Sequence, residues 1–108
     1  MKEFIGLELC NYHSRDFDRH KRADLVDGEL HINCQDLGDV CEEVWGDSDY
    51  EYFYSFNRKE TEKLIKAIDG EEDPEEALLR EFAGLDGDKH LRECCKKNGV
   101  RYRFDSYV

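Results

Sequence analysis

Apolar and polar positions alternate most clearly over residues 50–56, Tyr-Glu-Tyr-Phe-Tyr-Ser-Phe. This predicts a strand with Tyr50, Tyr52, Tyr54 and Phe56 on one face. Residues 3–10 alternate well enough for a first strand. Asp27-Gly28 is a type I′ turn signal between residues 23–26 and 29–34, where Leu30 and Ile32 alternate with polar neighbours, so a hairpin is expected there. Leu37, Val40, Cys41 and Val44 then fall at i, i+3, i+4 and i+7, the spacing of a short amphipathic helix over 36–45 closing near Trp45-Gly46.

The second half reads as helical. Asn57 with Glu60 makes a capping box, Thr61, Leu64, Ile65 and Ile68 form an inward stripe, and Gly70 ends the helix. Asp73-Pro74 opens a second helix with its stripe at Leu78, Leu79 and Phe82, stopped at Gly84. Asp88 is the expected cap of a third, running through Leu91, Cys94 and Cys95 to Asn98-Gly99. Val100, Tyr102 and Phe104 alternate with charged residues in a last strand. The predicted order is β-β-β-α-β-α-α-α-β, an α+β fold with about five mostly antiparallel strands and helices packed on one face. One proline, no linker and no repeat give a single globular domain over 1–108. Its expected core contains Leu30, Ile32, Val40, Val44, Leu64, Ile65, Ile68, Leu78, Phe82 and Leu91.

Composition narrows the class. The chain is 39% hydrophobic and 40% charged, with 12% aromatic residues, which argues against disorder. Its net charge of −11 repels nucleic acid and anionic membranes, so neither is an expected partner. Glu3 and Glu8 interrupt any leader-like apolar run, and no uncharged stretch approaches the roughly 20 residues of a membrane span. Five cysteines, an odd number, read as reduced thiols and a cytoplasmic location.

The charge is also concentrated. Residues 36–76 hold 15 Asp/Glu against 4 Lys/Arg. Asp36, Asp39, Glu42, Glu43, Asp47, Asp49 and Glu51 follow one another with no Lys or Arg before Arg58. Asp39, Glu42 and Glu43 would lie at i, i+3 and i+4 on the predicted helix, where like charges repel. Asp47, Asp49 and Glu51 would line one face of the next strand at roughly 6.7 Å spacing, of the same order as successive backbone phosphates. Such a row suits a basic groove, with Tyr50 and Tyr52 beside it available to stack on arginines. The commoner role of such carboxylates is a solvated face that aids solubility.

Other chemistry is less specific. Asp47-Ser48-Asp49-Tyr50-Glu51 resembles the start of a calcium loop but lacks the sixth-position glycine, and Arg58 stands where the bidentate glutamate belongs. Cys10/His13, His31/Cys34 and His90/Cys94 have zinc-like spacing, yet structural zinc prefers knuckles on turns, and His31 and Cys34 fall on a predicted strand where i and i+3 point to opposite faces. His13, Asp16 and His20 would make an acid–base group within the mixed-charge segment 13–22, which otherwise reads as a loop or guarded edge strand. No cofactor and no catalytic residue are expected.

In size, charge and mixed α+β pattern the chain resembles small acidic inhibitors that block basic nucleases: toxin-immunity proteins, and phage anti-CRISPR and DNA-mimic proteins. The resemblance implies a non-enzymatic inhibitor that occupies the nucleic-acid-binding surface of a basic protein such as a nuclease; the acidic segment makes the carboxylates of residues 36–51, with Tyr50 and Tyr52, its expected contacts. Two alternatives stand beside it: a small metal-binding protein or enzyme using Cys/His and Asp47/Asp49/Glu51, and an accessory subunit docking on a basic partner.

Overall fold

A computed structural model describes residues 1–38 and 49–107, with Asp49 described by its backbone alone. Five strands form one antiparallel sheet in the spatial order β1 (Phe4–His13), β2 (Phe17–Val26), β3 (Glu29–Gly38), β4 (Asp49–Phe56) and β5 (Arg103–Tyr107). Three helices, α1 (Arg58–Ala67), α2 (Pro74–Phe82) and α3 (Gly87–Asn98), separate β4 from β5 and cover one face of the sheet. The fold is therefore α+β, as the pattern of periods predicts. No helix among the described residues is long and apolar enough to cross a membrane.

Local chemistry explains most boundaries. Asp27 and Gly28 both take positive φ, 54° and 76°, the pair of left-handed residues that a two-residue hairpin turn needs to match strand twist. Asn57 Oδ1 accepts from the Glu60 N–H at 2.9 Å and caps α1, while Asp73 Oδ1 accepts from the Glu76 N–H at 3.1 Å ahead of Pro74 in α2. Thr61 is fully buried; its hydroxyl donates to Phe56 O at 3.1 Å and accepts from the Leu30 N–H at 3.0 Å, joining α1 to two strands. Gly87, at the start of α3, approaches α2 so closely that a Cβ there would lie 1.9 Å from the Phe82 carbonyl oxygen.

The core lies between the sheet and the helices. Leu30, Ile32, Leu64, Ile65, Ile68, Leu78, Phe82 and Leu91 are all buried as expected, joined by Tyr52, Tyr54, Phe56, Leu9, Leu25 and Val100. Val40 and Val44 lie outside the described residues. Leu79 is 40% exposed rather than part of the α2 stripe, whose inner positions are Ala77, Leu78 and Phe82.

The last strand begins only at Arg103, so Val100 and Tyr102 precede it rather than belong to it, and three further expectations need correction. Residues 36–38, placed by spacing at the start of a helix, continue β3, because Asp36 and Leu37 pair with Arg19 and Asp18 on one side and Tyr50 and Asp49 on the other. The remainder of the predicted 36–45 helix lies outside the described residues. Most of segment 13–22 is neither loop nor edge: β2 runs from Phe17 between β1 and β3, leaving β1 and β5 as the edges. Asp88 is not the cap of α3; Asp86 holds that position, and the Asp88 carboxylate turns to the sheet.

Candidate functional site

The acidic segment and the aromatic row separate in space. Strand alternation puts Tyr50, Tyr52 and Tyr54 on the helix-covered face of β4, whereas Glu51 belongs to the opposite, open face, beside Gln35 of β3 and Tyr107 of β5. Tyr52 is buried at 6% exposure and Tyr50 stacks on it at 5.2 Å between ring centroids. The tyrosines and Glu51 thus do not form one contact surface. Asp36 is also inward and buried: Arg19 donates through Nε and Nη2 to its two carboxylate oxygens at 2.8 and 2.9 Å, a bidentate pair. Asp39, Glu42, Glu43 and Asp47 lie outside the described residues, as does the Asp49 side chain.

Where the helices stop short, the inner face of the sheet forms a cleft of about 480 Å³ against the start of α3, lined by Arg19, Asp36, Tyr50, Tyr52, Asp88 and Arg92 among others. Its floor is ionic. Lys21, only 1% exposed, makes an ion pair with Asp88 Oδ1. The same ammonium donates to the Gly84 and Leu85 carbonyls at 3.1 and 3.5 Å, so all three of its protons have acceptors. Asp88 Oδ2 accepts from the Tyr54 hydroxyl at 3.3 Å, and Arg92 donates to that hydroxyl at 3.0 Å. The network bolts the turn between α2 and α3 onto β2.

Burial raises the Tyr52 and Tyr54 phenols well above their ordinary range, so both remain protonated donors. Burial likewise pushes the Cys34 thiol up to about 12. Cys10, Cys34, Cys94 and Cys95 are all free thiols. Each is held above its ordinary value chiefly by burial, the opposite of the lowered value an attacking thiolate requires. The cleft itself offers paired charges and aromatic walls.

The zinc-like pairs on strands are split between faces. Cys10 aligns with inward Lys21 while His13 aligns with Asp18 of the open face. Cys34 is buried, whereas His31 lies near Ser55 on the open side, its Nδ1 3.3 Å from the hydroxyl. His90 and Cys94 share α3, where His90 is exposed. Asp16 sits in the β1–β2 turn, but register brings Asp18 next to His13, with His20 two residues further along the same face.

The inward, partly buried pairs Arg19–Asp36 and Lys21–Asp88 escape a search for apolar alternation. Their signal is phase: Ala23 and Leu25 face inward, so positions 21 and 19 of the same strand must as well. No protein-family model, curated protein or solved structure matches the chain.

Proposed function

We propose that this protein binds another protein, using the carboxylates of residues 39–51 to occupy a basic, nucleic-acid-binding surface, in the manner of a small acidic inhibitor of a nuclease. What supports this reading is the fate of most neighbouring cations, although exposed Arg22 shares a recess of the open face with Glu51. Arg19 and Lys21, the inward cations of β2, are committed to Asp36 and Asp88. Arg58, the next cation after the segment, is held at the far end of the sheet, where its Nε donates to the Asp27 carbonyl at 2.6 Å. Strand β4 separates Asp49 from Phe56 by about 23 Å at the ordinary strand rise. Six carboxylates (Asp39, Glu42, Glu43, Asp47, Asp49 and Glu51) thus stand in a stretch that contains no Lys or Arg of its own. Like charges gathered so closely favour a cationic partner and fast, salt-sensitive association.

The test is capture of partners from the native host, followed by titration of the purified pair. Binding should weaken steeply with salt, since the screening length falls to about 8 Å at physiological ionic strength. It should vanish in Asp39→Lys/Glu42→Lys/Glu43→Lys, and duplex DNA or RNA should compete for the same partner site. Charge-dependent binding without that competition would favour an accessory subunit docked on a basic protein. Tight binding by the triple variant, indifferent to salt, would leave the segment as a solubilising face.

A further inference from the structure

The open face of the β1–β2 hairpin gathers three metal-ligand side chains that the sequence separates. His13 pairs across the ladder with Asp18, and His20 follows Asp18 at i+2, so all three project from one side of the hairpin. His13 Nδ1 lies 3.4 Å from Asp18 Oδ1. The His13 and His20 rings meet edge to face with centroids 5.2 Å apart. One donor atom from each of the three residues falls within 4.8 Å of the others.

We infer that His13, Asp18 and His20 form a binding site for a divalent first-row transition-metal ion of borderline softness, with Zn²⁺ as the reference case. Metal–ligand bonds of about 2.0–2.1 Å place tetrahedral ligands roughly 3.3–3.4 Å apart. His13 and Asp18 already stand at that separation, and rotation of the His20 imidazole closes the remainder. Two imidazole nitrogens with one carboxylate suit Zn²⁺, Cu²⁺ or Ni²⁺ better than Ca²⁺ or Mg²⁺, which take all-oxygen shells. The frame is braced next to the ligands: Ser14 Oγ donates to Phe17 O at 2.7 Å and accepts from the Phe17 N–H at 3.0 Å, closing the turn. The His13 side chain is 62% exposed and that of Asp18 37%, so an ion has an open route in. Three protein ligands leave the fourth position to water, the arrangement of exchangeable rather than closed structural sites. This site shares no residue with the acidic segment, and its test does not depend on the partner proposed above.

Titration calorimetry with Zn²⁺, and absorption spectroscopy with Co²⁺, should show one ion bound per chain, with a nitrogen–oxygen spectrum free of sulfur-to-metal charge transfer. His13→Ala, Asp18→Asn and His20→Ala should each weaken binding by more than the roughly 10–100-fold typical of outer-shell changes. Asp16→Asn should bind as wild type. Metal should raise the melting temperature of the wild type and leave His13→Ala/His20→Ala unmoved, although both proteins melt alike in chelator because these side chains sit on the open face. Absence of stoichiometric uptake, equal uptake by the double variant, or a thiolate spectrum would overturn the assignment, the last by placing the ion at the cysteines.

Discussion

The two faces of the sheet treat charge in opposite ways, and β2 displays both within five residues. Arg19 and Lys21 point toward the helices, where each meets a carboxylate brought from a distant part of the chain. His20 and Arg22, between and beyond them, stand on the face that no helix among the described residues covers, and Arg22 is exposed. Ions on the covered face have lost most of their water, so each is worth keeping only with its partner in place. Charges on the open face keep their hydration, and their pairs contribute little. The same residue types therefore act as structural bolts on one side and as potential contacts on the other.

Removing one partner of the buried pair should break the fold hardest. Lys21→Met or Asp88→Asn should cost about 3–5 kcal/mol in urea melts, because either leaves an uncompensated group beneath α3. The double change Lys21→Met/Asp88→Leu should recover much of that loss. Single-variant costs near zero would show that water reaches the pair, and would erase the contrast between faces.

Leu64→Ala, in the fully buried stripe of α1, should cost about 2–5 kcal/mol by loss of burial and by the cavity left behind. A loss near zero would mean that the helix layer packs loosely. Alkali tests the same face through its thiols. Cys34 and Cys95 ordinarily titrate near 9.0 but are pushed up to about 12 by burial, so in the folded state they hold protons that the unfolded chain releases. Stability should accordingly be intact below about pH 9 and fall as pH rises from 9 toward 12, by at most about 1.4 kcal/mol per pH unit for each thiol. A Cys34→Ala variant should show a shallower decline over that window; an unchanged slope would place the titrating groups elsewhere. The smallest effect belongs to the open face. Arg22→Ala should change stability by no more than about 0.5 kcal/mol, and a larger loss would mean that this face is not free.

How much was legible in advance follows the range of each interaction. The Asp27-Gly28 turn, the Asn57 and Asp73 caps, the α1 stripe and the alternation of β4 all arise between residues a few positions apart, and local sequence determined them. Segment 13–22 is opaque because after Phe17 the inward side of β2 continues with Arg19 and Lys21, whose burial is made tolerable by Asp36, 17 residues away, and by Asp88, 67 residues away. The end of β3 departs from the local pattern for a related reason: helical spacing from Leu37 onward is a local preference, and hydrogen bonding to strands on both sides outweighs it. The tyrosines and Glu51 are adjacent in sequence, yet alternation alone sends them to opposite faces, and only the packing of the helices decided which face was covered. The His13–Asp18–His20 group depends on register, since pairing displaced by a single residue would turn one strand's ligands to the other side. Sequence by itself thus determined most of the elements and the total of charge; tertiary structure decided which charges are buried in pairs and which remain open to a partner, because that choice is made between residues that the chain keeps far apart.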